Sequence, residues 1–212
     1  MYACSLRRVR PARTPFSPLV CSIALLLGSA GTARPDALIT INTDYSSGSV
    51  SEVQLGSPWS VSMDLEAICA DPVARSFGGL LYVVNRLGCD NIQVIDPVGG
   101  YTTVREFSVG LGSNPQDIAV ASPARAFVSR QNSNWILEVN PTTGAVSDSL
   151  SLAGFADADG FVEMHRLFLR GRHLYVQLQR LDRNGGWEPV APSYIAVIDI
   201  DNDTEAFLGE DS

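Results

Sequence analysis

The most ligand-like spacing in the chain lies near its C-terminal end, where carboxylates recur at every second position. Asp199, Asp201 and Asp203 are followed by Glu210, which lies eleven residues after the first of them. Carboxylates at positions 1, 3, 5 and 12 are oxygen ligands of an EF-hand-type calcium loop. That loop requires glycine at position 6, and Thr204 stands there. The pattern therefore favours an acidic turn at the end of a strand over a calcium site.

A second group of residues with chemical potential contains Glu163 and His165. They follow an acidic turn at 157–160, and residues two apart on an extended strand lie on the same face. A carboxylate beside an imidazole can act in general acid–base catalysis or hold a metal ion. The chain has only two histidines, and such pairs are more often solvated or hydrogen-bonded surface residues. We therefore assign no catalytic or metal-binding residue here.

The composition excludes several kinds of chemistry. All fifteen basic residues are arginine, so the chain has neither a Schiff-base lysine nor the lysine of a Walker-type phosphate loop. The Gly-x-Ser-x-Gly and His-Glu-x-x-His motifs are also absent. Trp187 lies in a polar insertion and is a candidate for ligand recognition, although covering a sheet edge is the more common role of such a loop. We expect no cofactor.

The N-terminus has the three-part pattern of a secretory signal peptide. Four arginines fall within the first 13 residues, an apolar stretch runs from Leu19 to Leu27, and small residues follow. The apolar stretch is too short to span ~30 Å of hydrocarbon, so we expect removal rather than a retained anchor. Residues 1–33 are therefore predicted to be a signal peptide, and the rest of the chain to be exported.

Cleavage after Ala30 or Ala33 would give a product that begins at Gly31 or Arg34. Lipidation at Cys21 is an alternative, which the valine before it and the apolar run after it disfavour. Removal of four arginines and no acidic residue takes the formal charge from −8 to −12. A product that is so acidic has no electrostatic surface for nucleic acid or for an anionic membrane.

The predicted signal peptide also contains two of the four cysteines, which leaves Cys69 and Cys89. In an oxidising compartment this pair is a disulfide candidate. Two separate buried thiols are the alternative, because the sequence does not give the distance between the Cα atoms.

The middle and end of the chain are built from a repeated strand pattern. Each copy has an apolar, aromatic strand, then a polar turn, then an alternating strand that ends in Asp or Asn. The copies pair residues 81–85 with 91–96, 126–130 with 135–140, and 174–178 with 194–199. Their aromatic positions, Tyr82, Phe127 and Tyr175, are spaced 45 and 48 residues apart. That period is typical of propeller blades with four short strands.

A looser copy begins at residue 38, so the pattern predicts an all-β fold with four units near 37–79, 80–124, 125–172 and 173–212. The last unit lacks at least its fourth strand. Four units leave an incomplete ring if the intact protein has more blades, and we therefore expect the chain to be part of a longer protein. A compact four-bladed ring is the alternative.

One unit resembles a known family along its whole length. Tyr82-Val83-Val84-Asn85, the strand 91–96, Phe107-Ser108-Val109-Gly110 and the segment 115–120 are similar to one repeat of the YVTN-type bacterial β-propellers. The resemblance implies a propeller of four-stranded blades and an exported location. It implies little about activity, since the fold carries unrelated functions.

From these observations we predict an exported binding or scaffold module for an unknown protein or small-molecule ligand, without a membrane span after signal cleavage. The alternative is a propeller enzyme of the lyase, lactonase or quinoprotein-like kind, with a metal or acidic residues near the central channel. The absence of a reaction motif favours the binding module.

Overall fold

The computed structural model describes the backbone of residues 23–27, 36–202 and 204–211, and the side chains of residues 36–202. Strands dominate these residues, with one short 3-10 turn at Ala153–Phe155. The strands, in chain order, are β1 Ile23–Leu27, β2 Ala37–Thr43, β3 Gly48–Gln54, β4 Ser60–Ile68, β5 Val73–Phe77, β6 Leu80–Asn85, β7 Asn91–Asp96, β8 Thr102–Ser108, β9 Pro115–Ser122, β10 Arg125–Arg130, β11 Trp135–Asn140, β12 Ala145–Ser151, β13 Met164–Arg170, β14 His173–Leu178, β15 Leu181–Asp182, β16 Glu188–Pro189, β17 Ser193–Asp199 and β18 Thr204–Asp211.

The strands form four antiparallel sheets of four strands, which we number one to four along the chain. Their strand orders are β1-β2-β3-β4, β5-β6-β7-β8, β9-β10-β11-β12 and β13-β14-β17-β18, and a small hairpin of β15 and β16 is inserted in the fourth sheet. Each of the first three sequence units supplies three strands to one sheet and its last strand to the next sheet. The sheets are therefore displaced by one strand from the sequence repeat.

The repeat pattern is explained by burial on both sides of each inner strand. On β6, Leu81 and Val83 pack towards the first sheet, whereas Tyr82 and Val84 pack towards the third sheet. A strand that is buried on both faces carries a continuous apolar run rather than an alternating one. The outermost strands β8 and β12 are mostly exposed and polar. The sheets are therefore stacked face to face, with a separate apolar core between each neighbouring pair.

The first strand of every sheet lies at one end of the strand order, and these strands contact one another: β1 with β5, β5 with β9, and β9 with β13. They form the inner edge of an arc of four blades that does not close into a ring. The strand β1 lies within the predicted signal peptide and pairs with β2 from Leu27↔Ala37 to Ile23↔Ile41. The signal peptide itself stays a prediction.

Most of the irregular connections lie at one end of the strands, on one face of the arc. It carries the connections 69–72, 86–90, 109–114, 131–134, 152–163 and 179–192. We call this end the loop face. Short turns join the strands at the opposite end, as at Gly78-Gly79 and Pro123-Ala124. No helix in the described part of the chain is long and apolar enough to cross a membrane.

Candidate functional site

The loop face between the first two sheets is joined by a covalent link. Cys69 and Cys89 are bonded in a disulfide with Cα atoms 6.5 Å apart, which lies within the range that unstrained disulfides adopt. The backbone N–H of Cys69 also donates to Oδ1 of the buried Asn85, at 3.1 Å. Asn85 is the asparagine of the YVTN-like motif, so its role here is to attach the connection 69–72 to β6.

An arginine extends this attachment towards the third sheet. The Arg86 guanidinium donates to the carbonyl and carboxylate of Asp71 and, at 2.7 Å, to Oε1 of Gln116 on β9. Buried Asp90 accepts hydrogen bonds from the backbone N–H groups of Gly112 and Asn114, at 2.7 and 2.8 Å. These polar side chains are therefore occupied in holding the loops.

The insertion between β14 and β17 is fixed to the loop face by Arg183. Its Nε donates to Oε1 of Glu163 at 2.6 Å, and its terminal nitrogens donate to the carbonyl oxygen of Gln131 at 2.6 Å and to Oδ1 of Asn132 at 3.2 Å. Its guanidinium carbon lies 3.8 Å from the ring centroid of Phe161. Arg183 thereby connects the third and fourth sheets through the insertion.

Three carboxylates surround this arginine. One oxygen each from Asp157, Asp159 and Glu163 lies within 4.8 Å of the others. Glu163 is fully buried and also accepts the N–H of Leu181, at 3.1 Å. Burial raises the pKa of Asp159, but hydrogen bonds from the N–H groups of Arg183 and Phe161 and the charge of Arg183 outweigh it, and the pKa is lower than usual. Oδ2 of Asp157 is buried without a hydrogen-bond partner.

Trp187 lies at the tip of the same insertion and is 48% exposed. The Arg183 guanidinium lies 5.2 Å from its ring centroid, so a cation supports one face of the indole while much of the side chain stays open to solvent. Trp187 has a φ of +68°, and its N–H donates to the carbonyl of Asp182 at 2.8 Å. The insertion therefore holds an aromatic side chain at a fixed place on the loop face.

The inner edge of the arc carries a second polar cluster. Asp117 on β9 is fully buried, and its Oδ2 accepts from Nη2 of Arg75 at 2.7 Å and from the N–H of Leu167 at 3.0 Å. Because Arg75 belongs to β5 and Leu167 to β13, one carboxylate joins the inner strands of three sheets.

The residues just before Leu167 lie in an irregularity of β13. The pairing of β13 with β14 shifts between Met164 and Leu167, as at a β-bulge, which re-aims the intervening side chains. Nδ1 of His165 lies 3.3 Å from Oε1 of Gln177. Burial lowers the pKa of His165, and the charges of Arg166 and Arg86 lower it further. Nη1 of Arg166 is buried and has no hydrogen-bond partner.

Neither arrangement suggested by sequence spacing is formed. The side chains of Asp203 and Glu210 lie outside the described residues, but backbone pairing places Glu210 opposite Tyr194 and Thr204 opposite Asp199. Glu210 is thus roughly 16 Å along the strand from the turn.

Asp199 itself accepts hydrogen bonds from the N–H of Asp201, from Asn202 and from Arg172. These bonds agree with the favoured interpretation, an acidic turn.

The pair Glu163 and His165 is also not formed. Glu163 precedes β13 with a φ of +42° and is turned towards Arg183, whereas His165 contacts Gln177. The sequence did not identify four residues of these polar clusters, which are Arg75, Asp117, Arg166 and Arg183. Arg183 was visible only as part of a polar insertion, and the other three carry no local signal.

Comparisons with known proteins agree with this fold. No family model matches the chain, and no curated protein matches its sequence. Solved structures do match. The dihydro-heme d1 dehydrogenase NirN superposes with a TM-score of 0.53 at 13% identity, over 83% of this chain and 36% of that one. A putative 6-phosphogluconolactonase from Bacteroides fragilis gives 0.52 at 15% identity, over 82% and 54%. The AfRom2 CNH domain gives 0.51 at 11%, over 84% and 52%.

The chain is thus an all-β protein of the β-propeller class, present as an open arc of four blades. It spans about one third to one half of the length of these matching structures. Identities between 11 and 15% extend the likeness to the fold alone.

Proposed function

We propose that this chain is an exported binding module of the YVTN-like propeller type, and that its recognition surface is the loop face around Trp187. One observation carries the proposal: Arg183 fixes the insertion to the third sheet while Trp187 stays half exposed. A rigid aromatic side chain contributes a large contact area and loses little conformational entropy when a ligand binds.

The charged groups of the loop face support binding rather than catalysis. Glu163, Asp90 and Asp71 each accept hydrogen bonds from arginine or from backbone N–H groups. A general base needs to reach a substrate proton, and these carboxylates are already occupied by the protein. The N-terminal pattern and the Cys69–Cys89 pair support export.

The enzyme alternative has one observation in its favour, the cluster of three carboxylates formed by Asp157, Asp159 and Glu163. Oδ2 of Asp157 has no hydrogen-bond partner in this cluster. A divalent cation would supply that partner. Against it, Arg183 already places a positive charge among these carboxylates.

Two measurements test the proposal. The first expresses the full chain in a bacterial host and determines the N-terminus and metal content of the exported product. We expect a start at Gly31 or Arg34 and no stoichiometric metal. An uncleaved Met1 or a lipidated Cys21 would contradict export by this route, and one equivalent of bound calcium with calcium-dependent melting would favour the enzyme.

The second measurement screens cell-envelope metabolites and proteins for ligands by thermal shift. It compares the unmodified protein with Trp187→Ala and with Trp59→Ala. Trp59 is 72% exposed and lies in the turn between β3 and β4, on the face opposite the loop face. We expect ligands that stabilise the unmodified protein and Trp59→Ala, but not Trp187→Ala. If ligands stabilise both variants equally, the loop face around Trp187 is not the recognition surface.

A further inference from the structure

The inner edge of the arc contains more arginine than its carboxylates can neutralise. Arg75 pairs with Asp117, and Arg86 pairs with Asp71. Arg166 lies in the same cluster, because the next residue, Leu167, donates its N–H to Asp117. Burial lowers the pKa of Arg166, and the charges of Arg75 and Arg86 lower it further, whereas those of Asp117 and Asp71 raise it. Among the described residues Arg166 is in no ion pair. One positive charge is therefore left over in a chain whose formal charge is −8.

Arg166 also differs from the other arginines that have a buried nitrogen without an acceptor. Nε of Arg130 and Nε of Arg180 lack acceptors too. Both side chains nevertheless donate through their terminal nitrogens to backbone carbonyls, for example from Arg180 to Pro192 at 2.6 Å. No hydrogen bond from Arg166 to another described residue compensates its buried Nη1 in this way. A buried charged donor without an acceptor is unfavourable, so it marks a place where a partner is missing.

The surroundings fix where such a partner would bind. Asp117 already accepts hydrogen bonds from Arg75 and from the N–H groups of Leu167 and Ile118, and turning towards Arg166 would break them. Arg166 lies in the irregularity of β13, which packs against β9, and it is adjacent in sequence to Leu167, whose N–H donates to Asp117. His165 stands beside it, but the one N–H of its neutral imidazole faces Oε1 of Gln177, at 3.3 Å, so the arginines supply the donors.

We infer that the inner edge of the arc binds an oxyanion, a carboxylate or phosphate group of a small molecule, through Arg166 with Arg75 beside it. Guanidinium groups suit such ligands because their planar donors match two oxygens at once. This oxyanion site rests on the proposed function as a binding module, for which it names a class of ligand. It lies at the inner edge of the arc and is separate from the surface around Trp187.

The test uses inorganic phosphate and citrate as probes, each compared with sodium chloride at equal ionic strength. Calorimetric titration and thermal shift are measured on the full chain, on Arg166→Gln and on Arg170→Gln, an exposed arginine of the same strand. We expect phosphate or citrate to bind the unmodified protein, and Arg166→Gln to weaken binding about tenfold or more, as expected for loss of a charge-assisted hydrogen bond. Arg170→Gln should bind as the unmodified protein does.

Stability gives an independent readout. Without a probe, Arg166→Gln should melt at the same or a higher temperature, because it removes a half-buried charge whose buried Nη1 has no acceptor. Preference for citrate would identify a carboxylate site, and preference for phosphate a phosphate site. No binding beyond the chloride control, or equal weakening by Arg170→Gln, would overturn the inference. A Tm of Arg166→Gln well below that of the unmodified protein would also overturn it, since the arginine would then have a structural role. Because the probes act on purified protein, a negative result leaves export and the Trp187 surface untouched.

Discussion

Two arginines of the fourth blade show how differently the same side chain can be used. Arg183, on the loop face, is surrounded by Glu163, a carbonyl, an amide and two aromatic rings. Arg166, at the inner edge, has a buried nitrogen with no acceptor. A fully paired charge holds the structure together, whereas an unpaired one lowers stability unless a ligand completes it. The comparison therefore separates a structural site from a binding site within one blade.

The largest effect is expected from breaking the paired site. Glu163→Gln keeps the shape of the side chain but removes the carboxylate that Nε of Arg183 contacts. Asp157 and Asp159 remain as nearby negative charges, and we expect a loss of about 3 kcal/mol in the free energy of unfolding. Urea denaturation measures it. Arg125→Gln, which interrupts a more exposed pair with Glu138, is the matched control and should cost much less. Equal losses for the two variants would show that Arg183 is no more structural than a surface arginine.

The disulfide can be compared with Arg183, because both connect neighbouring sheets on the loop face. The disulfide connects the first and second sheets, and Arg183 connects the third and fourth. We predict that the mature protein has no free thiol, and that reduction destabilises it by about 3 kcal/mol, because 19 residues separate the cysteines. Mass measurement after alkylation, and melting with and without reductant, check this. The double variant Cys69→Ala/Cys89→Ala should be insensitive to reductant. Thiols that react readily in the air-oxidised protein would contradict both the pairing and export.

The smallest effect concerns His165, beside the unpaired arginine. Burial holds the folded-state pKa of His165 below its unfolded value, so the unfolded chain binds the proton first as the pH falls. This contribution to stability is present above about pH 6.5 and is lost below it. We expect the fall in Tm between about pH 7.5 and about pH 5.5 to be smaller for His165→Gln than for the unmodified protein.

The sequence predicted the repeated strands because each one carries its own signal. The motif at Tyr82–Asn85 and the strand that ends at Asp96 form the paired strands that their apolar runs and the polar turn between them indicate. The polar clusters could not be predicted in the same way. Arg75 and Asp117 are 42 residues apart and meet only because successive inner strands lie side by side. Arg166 lacks a partner because no acceptor from any neighbouring strand in the described part of the chain reaches it. A local sequence pattern holds no information about those strands.

The displacement of the sheets by one strand from the sequence repeat also bears on how such a chain can grow by gene duplication. Each of the first three units ends with a strand that becomes the first strand of the next sheet. Adding or deleting one whole unit therefore leaves every internal sheet with four strands, since the boundary of the unit never falls between two sheets. The first strand of the first sheet comes from outside the repeat, and in this structure it is β1, which lies within the predicted signal peptide. Blade number can thus change over generations without leaving an internal sheet short of a strand.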